Sequence, residues 1–547
     1  MKKRVRAMQL ELQQFLFEHT PTRRELLHYE PAERGKKYRV QVFRNHSFEL
    51  IADILPAYLD YAGVSVSFSY SGYDDSLSFL ELDCSVDMVL LWIDATRYPS
   101  INVQDFLTER LICLRERFRG PVLLIPFGAE VSIGQPGVSV WDLGPLRETL
   151  GEQFMDERAK SCTGTALSGK AMMRLGKELG LKALPSLLEP PLKAVVVDFD
   201  NTLYSGVLGE EGADGLILTA GHRSLQAHLK RLAQKGLFLC AATKNDAGDV
   251  DAMLAARRDF PLKKEDFSII AASWDSKAEM MEQILGYLNI GPESVVFLDD
   301  NIGELHTVSA AFPQIKLIHA LDDASLTDEV VSWFPGLGLG GVSAEASLRR
   351  GDVQANQRRQ ELQQRMSAAD YIRSLQMQMV FSGDNPAQLA RISELANKTN
   401  QFIFNYKRYT PSETEAILRD STYRVVTVSL SDRLSDSGMI GVCVGKNEGD
   451  HVTLEECFVS CRALGRGVDE MIVLGAIQRI LEDFQKETLQ VCFQDGPRNV
   501  PAQRFVRERL ADYLEKPKRF SYQIPDGLVR WEYKKYGEDA FHGTAAD

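Results

Sequence analysis

The sequence predicts a multidomain α/β chain, and three observations predict it. Its 547 residues exceed the roughly 250–300 at which a single core stops growing. Short, continuous apolar runs alternate with helical patterns, the rhythm of parallel strands buried on both faces. Hydrophobic residues make up 44% of the chain and charged residues 25%, the proportions of an ordinary globular protein.

Four segments separate along the chain. Residues 1–185 carry strand-like runs at Tyr38–Phe43, Val64–Tyr70, Val86–Ile93 and Pro121–Pro126, with helical patterns between them. The stretch Leu184–Leu192 (LPSLLEPPL) is rich in proline and reads as a linker. A second domain, 190–342, opens with Lys193–Phe199 and continues through Leu237–Ala242, Ser268–Ala271 and Ser294–Leu298, the pattern of a parallel sheet. Residues 343–376 are polar, and a solvated linker helix is expected over Ser347–Gln376. Residues 377–547 mix strands at Tyr423–Leu430, Met439–Lys446 and Val452–Phe458 with helices at Pro386–Lys398 and Asp469–Lys486, an α+β arrangement. The final EDAFHGTAAD reads as a frayed tail.

Charge and composition exclude several classes. A net charge of −13, from 63 basic and 76 acidic residues, argues against nucleic acid as a partner. No segment reaches the ~18 uncharged apolar residues of a membrane span. The start, MKKRVRAMQLELQQF, is basic but has no continuous apolar core, so a cytoplasmic protein is expected. The eight cysteines form no CxxC pair, and most of them are expected to be buried, reduced thiols. Oligomeric state is left open.

The most informative stretch is KAVVVDFDNTLYSGVLGEEG, Lys193–Gly212. A buried strand ends in Asp198-Phe199-Asp200, and strand alternation puts both aspartates on one side. Chemistry in parallel sheets sits at the carboxyl ends of strands. Two carboxylates sharing a cavity repel each other unless a cation lies between them or one is protonated. Magnesium, which takes carboxylates, waters and phosphate oxygens, suits them. A second acidic strand end, Asp299-Asp300-Asn301, follows Ser294–Leu298. Between the two lie Thr243, after FLCAA, and Lys277. A hydroxyl and an ammonium at such ends can hold phosphate oxygens.

This order resembles the haloacid dehalogenase (HAD) superfamily: DxDxT at Asp198–Thr202, then Thr243, Lys277 and the pair Asp299-Asp300. The resemblance implies that Asp198 attacks phosphorus and that Asp200 is the general acid and base. It implies that Mg2+ is held by Asp198, the carbonyl of Asp200, Asp299 and, through water, Asp300. Thr243 and Lys277 would bind the transferring phosphoryl group. The intervals are short, 43 residues from Asp200 to Thr243 and 34 from Thr243 to Lys277. They leave no room for a large lid, so a capless Rossmann-like sheet open to large, even protein-borne, substrates is expected. Gly206, Gly209 and Gly212 suit a tight flap.

DNTLYSGVLGEEG, WDSKAE, FLDDNIGE, LANKTNQF and SCRALGRGVDE resemble the FkbH-like proteins across residues 35–535. That resemblance implies an SGNH-hydrolase-like α/β domain, the HAD core, and a GNAT-like C-terminal domain. It implies loading of a glyceryl unit from 1,3-bisphosphoglycerate onto the phosphopantetheine thiol of an acyl carrier protein, with dephosphorylation, for polyketide biosynthesis. The alternative is a plain phosphatase acting on a small or carrier-bound phosphomonoester. The family's Cys-Ser-Lys-Asn, whose cysteine is thought to carry the glyceryl group, is here Ala242-Thr243-Lys244-Asn245. Cys240, two residues earlier, is then either a substitute nucleophile or core, with acyl transfer direct to the carrier thiol or absent. Tyr204 and Ser205 replace the family's Trp and Gly.

Arg462-Ala-Leu-Gly465-Arg466-Gly467 has the R/Q-x-x-G-x-G spacing of the GNAT pyrophosphate loop and reads either as a phosphopantetheine seat or as a structural turn. Ser47, after Arg44-Asn45-His46, stands where an SGNH nucleophile would. No histidine follows up to Pro191, so a docking or scaffold role is expected for this domain. Arg349-Arg350, Arg358-Arg359, Lys516, Lys518 and Arg519 read either as basic candidates for meeting an acidic carrier or as a solvated charged face.

Overall fold

The structure, a computed structural model, describes residues 9–337 apart from 32–34 and 159. It also describes scattered positions from 352 to 366, and 367–536 apart from 465, 497–498 and 524–529. The reading of Arg349-Arg350 and the terminal tail lie outside the described residues, as does part of the expected linker helix. Of the latter, Ala368–Leu375 is helical. The chain divides into two compact units, one carrying two parallel sheets and the other a mixed sheet.

The first sheet holds β1 (Lys36–Arg44), β2 (Val64–Tyr73), β3 (Met88–Asp94), β4 (Val122–Phe127) and β5 (Val138–Val140), ordered β2-β1-β3-β4-β5 and parallel throughout. Every residue of β3 and β4 is buried. Alternation sends Leu90 and Trp92 into one apolar layer and Val89, Leu91 and Ile93 into the other, which is why these strands read as unbroken apolar runs.

The proline-rich stretch differs from the linker reading. A helix runs from Gly169 to Glu178, widens into a π turn over Leu179–Ala183, and continues through Leu184–Leu188. Leu184 and Pro185 are buried. The wider turn accommodates Pro185 near the start of the last segment, where its missing N–H costs little. Pro190 and Pro191 follow the helix end. The two parallel sheets belong to one body. Gln13 exchanges two hydrogen bonds with the backbone of His319, at 2.8 and 3.0 Å, and Lys177 pairs with Glu329 at 2.9 Å.

The second sheet holds β6 (Ala194–Val197), β7 (Phe238–Thr243), β8 (Ile269–Ala272), β9 (Val295–Asp299) and β10 (Lys316–His319), ordered β10-β9-β6-β7-β8. The chain runs outward from β6 to β8, then returns to β9 on the other side of β6. This reversal makes β6/β9 the topological switch point, where open α/β sheets bind ligands at the strands' carboxyl ends. Asp198 follows β6, and Asp299 ends β9.

The second unit is α+β. Strands β11 (Gln378–Gly383), β12 (Tyr423–Ser431), β13 (Asp436–Asn447), β14 (Val452–Val459), β15 (Thr488–Val491), β16 (Lys518–Arg519) and β17 (Arg530–Lys535) form one sheet, ordered β16-β15-β14-β13-β12-β11-β17. The helix Asp469–Phe484 packs on it. At Gly441 and Gly445 an added Cβ would lie 2.6 Å from Ile472 and Ile480 of that helix, so glycine is what admits the close approach. Among the described residues no helix is long and apolar enough to cross a membrane.

Candidate active site

Asp198 leaves β6 with its amide donating to the Leu298 carbonyl at 2.9 Å, so the β6–β9 ladder sets its position. Lys277 begins the helix Lys277–Leu288. The preceding turn is fixed by Ser276 and Glu279, each of whose side chains accepts from the other's amide, at 3.3 and 2.9 Å. This is a reciprocal capping arrangement. The Lys277 ammonium, 2% exposed, is then surrounded by three oxygens. Asp198 Oδ1 lies at 2.7 Å, Asp299 Oδ2 at 3.0 Å and the Ala242 carbonyl at 2.8 Å. Its three N–H donors match that number.

Asp198, Asp299 and Asp300 each present a carboxylate oxygen, all within 4.8 Å of one another. Asp200 is not in this group. Its Oδ1 accepts from the Tyr204 hydroxyl at 2.7 Å and the Leu208 amide at 3.1 Å, and its Oδ2 from Asn245 Nδ2 at 2.9 Å. The expectation of a cation between the Asp198 and Asp200 carboxylates is therefore corrected. Phe199 turns the chain out of the strand, and the carboxylate partners of Asp198 come from β9. Thr243 ends β7 fully buried and accepts from Asn245 Nδ2 at 2.9 Å. Its hydroxyl also bonds Asp198.

The electrostatics follow from burial. Burial pushes the Asp198 carboxyl above its ordinary range, against the pull of Lys277. Asp299 is pushed up to about 7 by burial, Lys277 opposing and the Asp198 charge adding. Asp300 is raised by burial and by Asp198. Burial draws the Lys277 ammonium down, but Asp198 and Asp299 outweigh it and hold it above its usual value. Three carboxylates face one ammonium, and the cluster is short of positive charge. An all-oxygen donor set of this kind fits a hard divalent cation such as magnesium, and lacks the nitrogen or sulfur donors that zinc prefers.

Two participants carried no recognised role in the sequence reading. Asn245 bridges Asp200 and Thr243, and Tyr204, buried and stacked on Phe260 at 5.7 Å, caps Asp200. Asn245 stands two residues beyond Thr243, the last residue of β7, where strand alternation no longer fixes the side it faces. Tyr204 is marked in the sequence only as a departure from the FkbH-like pattern. The flap itself is a turn closed by Asn201 and Gly206, the latter at φ +114°, followed by a short helix, Leu208–Gly215. Its base is tied by a two-way backbone bridge between Ser205 and Ile217.

Several candidates lie elsewhere. Cys240 is fully buried in β7, paired in register with Ile269, and burial pushes its thiol well up. The reading of Cys240 as a nucleophile is corrected: it is core. Arg466 points into a buried ion cluster, 2.8 Å from Asp352, and Arg359 lies 3.2 Å from Asp352 and 2.8 Å from Asp432. Arg359 is thus not a surface contact for a carrier, and the Arg466 side chain is committed internally. Arg462 is buried with Nη2 3.4 Å from the Met439 carbonyl. Gly467 takes a left-handed φ of +70°, and Gly465 lies outside the described residues. Ser47 Oγ is 3.0 Å from the Tyr73 hydroxyl. His46 stacks on Trp92 at 4.4 Å, its ring drawn down to about 3 by burial. The His46 Nδ1 lies 3.2 Å from Thr165 Oγ1, and among the described residues no histidine is hydrogen-bonded to Ser47 as a base would be.

Fold and site together place a switch-point aspartate, an ammonium and carboxylates from the adjacent strand at the carboxyl ends of a parallel α/β sheet. No family model matches the sequence, and no curated protein matches it. Among solved structures, the chain is similar to the N-terminal part of BF1531 from Bacteroides fragilis, containing a phosphatase domain complexed with Mg, at 18% identity. That match covers 59% of this chain and 100% of that one, with a TM-score of 0.44. It is also similar to the cobalt-bound deoxy-D-mannose-octulosonate 8-phosphate phosphatase (YrbI) of Haemophilus influenzae, at 14% identity over 25% of this chain and 83% of that one, TM-score 0.20. A third is the ribosomal-protein-alanine N-acetyltransferase of Brucella melitensis biovar Abortus 2308, at 11% identity over 27% of this chain and 99% of that one, TM-score 0.19. These similarities are distant.

Proposed function

We propose that this chain is a magnesium-dependent phosphotransfer enzyme of the HAD type in which Asp198 is the nucleophile. The observation that carries the reading is the buried triad at the switch point, Lys277 within 3.0 Å of both Asp198 and Asp299. Asp198, Asp299 and Asp300, with the Asp200 carbonyl, would hold the magnesium ion. When bound, it supplies positive charge against the phosphoryl oxygens and the carboxylates. Asp198 attacks phosphorus as the bond to the leaving oxygen breaks, and Asp200 gives that oxygen a proton. Asp200 then takes a proton from water as water oxygen displaces the aspartyl-phosphate, freeing Asp198 and inorganic phosphate. Thr243 and Lys277 hold the phosphoryl oxygens through both steps.

The finer reading is loading of a glyceryl unit from 1,3-bisphosphoglycerate onto the phosphopantetheine thiol of an acyl carrier protein. The carrier thiolate attacks the acyl-phosphate carbon, the C–O bond to phosphate breaks, and a thioester forms. The remaining phosphomonoester is then removed through Asp198. With Cys240 in the core, no thiol of the β7 end takes part, so this transfer is direct. Ile217, Trp274 and Ile302 support a large substrate. All three are exposed apolar side chains, Trp274 at 75%; Trp274 lies in the turn after β8, Ile302 opens the helix after β9 and Ile217 closes the base of the flap. The second reading, a plain phosphatase on a small or carrier-bound phosphomonoester, is favoured by the absence of a cysteine at 242.

The test is intact-mass analysis of a phosphopantetheinylated carrier protein. It is incubated with this enzyme, magnesium and enzymatically generated 1,3-bisphosphoglycerate, beside an Asp198→Asn control. Glyceryl-carrier that lacks phosphate only when Asp198 is present supports the finer reading. Asp198-dependent phosphate release without a carrier adduct supports the second.

A further inference from the structure

We infer that Tyr204 and Asn245 position Asp200 so that only its Oδ2 exchanges a proton with substrate and water. This rests on the reading of Asp200 as the acid–base group. An ionised carboxylate offers about four in-plane acceptor positions. Oδ1 uses both of its own, on the Tyr204 hydroxyl at 2.7 Å and the Leu208 amide at 3.1 Å. Oδ2 uses one, on Asn245 Nδ2 at 2.9 Å, and the second N–H of that amide is spent on Thr243 Oγ1 at 2.9 Å. Among the described residues this leaves one open position, on Oδ2.

The supports are themselves fixed. Tyr204 is buried and stacked on Phe260, so its hydroxyl has little freedom. Leu208 is the first residue of the flap helix, so its amide is a helix-terminal donor that needs an acceptor outside the helix. Asn245 is buried and joins the acid–base carboxylate to the phosphoryl-binding hydroxyl. The flap is thereby tied to the acid–base carboxylate through Oδ1, the oxygen that does not exchange the proton. Tyr204 and Asn245 touch Asp200 rather than substrate, and are positioning residues.

A defect in proton donation has a signature that loss of packing lacks: it disappears when the leaving oxygen needs no proton. The experiment compares wild type, Tyr204→Phe, Asn245→Ala and Asp198→Asn, with magnesium, on two substrates. One is an alkyl phosphate, 3-phosphoglycerate; the other is 4-nitrophenyl phosphate, read as the burst of 4-nitrophenol. Tyr204→Phe keeps the ring that stacks on Phe260. It is expected to lower kcat on the alkyl phosphate by about tenfold or more with KM little changed, the scale of an impaired general acid. Its 4-nitrophenol burst rate stays at the wild-type value. Asn245→Ala also releases the phosphoryl-binding Thr243, so it slows both substrates but the alkyl phosphate by the larger factor, and serves if Tyr204→Phe does not fold. Equal losses on both leaving groups, or no loss on either, overturn the inference while the nucleophile assignment stands. Turnover by wild type that Asp198→Asn matches, or none by either, overturns the proposed function and the inference with it.

Discussion

The Lys277 ammonium sits 2.7 Å from Asp198 Oδ1 and is 2% exposed. It is the only cationic side chain paired with either Asp198 or Asp299 among the described residues. Removing it leaves two buried carboxylates facing each other without compensation. Lys277→Met is therefore expected to lower unfolding stability by about 3–5 kcal/mol in the absence of magnesium, measured by urea denaturation. The same variant loses at least about a hundredfold in phosphotransfer, since the phosphoryl group loses a preorganised charge. A variant as stable and as active as wild type would remove Lys277 from the site.

Magnesium binding should weaken on acidification. Burial raises Asp299 to about 7 from its ordinary 3.8. Its native form thus binds a proton more readily than its unfolded form. The stability this gives is complete below 3.8 and is lost as pH rises through about 7. Magnesium needs the carboxylate and competes with that proton. The rise in Tm on adding magnesium is expected to be larger near pH 8 than near pH 6. Equal rises at both would contradict the assignment of Asp299 to the metal.

Cys240 is fully buried, whereas Cys84, Cys113 and Cys162 are exposed. Alkylation of the native protein, mapped by peptide mass, is expected to label those three and spare Cys240. Cys240→Ala should keep phosphotransfer within about twofold while costing about 1–2 kcal/mol in stability, the scale of a small core truncation. Rapid labelling of Cys240, or loss of carrier loading in Cys240→Ala alone, would restore it as an acyl carrier.

In the second unit, Asp352 and Asp432 balance Arg359 and Arg466 in a buried cluster. The arginines hold the Asp352 carboxyl below its usual range despite its burial. Asp352→Ala leaves two buried guanidiniums short of a partner, and about 3–5 kcal/mol of stability is expected to go with it. Urea unfolding checks this; an unchanged midpoint would mean the cluster is not held as described.

Asp198, Thr243 and Asp299 were legible because each stands at or just beyond the end of a continuous apolar run, whereas Lys277, at a helix start after the turn 273–276, was legible through the order of the motifs. A buried parallel strand has few other ways to place a polar group. Tyr204 and Asn245 were not assigned, since their role depends on the flap folding back over Asp200, a contact that no local period encodes. The proline-rich Leu184–Leu192 misled because a π turn, invisible in composition, extends the helix through Pro185. Arg359 read as surface charge because its partner Asp432 lies 73 residues away, and only the tertiary fold brings them together. The Asp198–Asp200 pairing failed for a local reason: strict alternation holds only while the strand continues, and β6 ends at Val197.

The central claim is that Asp198 takes the phosphoryl group. Asp200→Asn should permit attack on an activated phosphate but slow hydrolysis, so the intermediate accumulates. This variant, mixed with magnesium and 4-nitrophenyl phosphate, quenched in acid and digested, would be read by peptide mass. The account predicts one phosphoryl group on the peptide carrying Asp198, absent when Asp198 is also changed to Asn. A phosphoryl group on another residue, or undiminished turnover in Asp198→Asn, would contradict it.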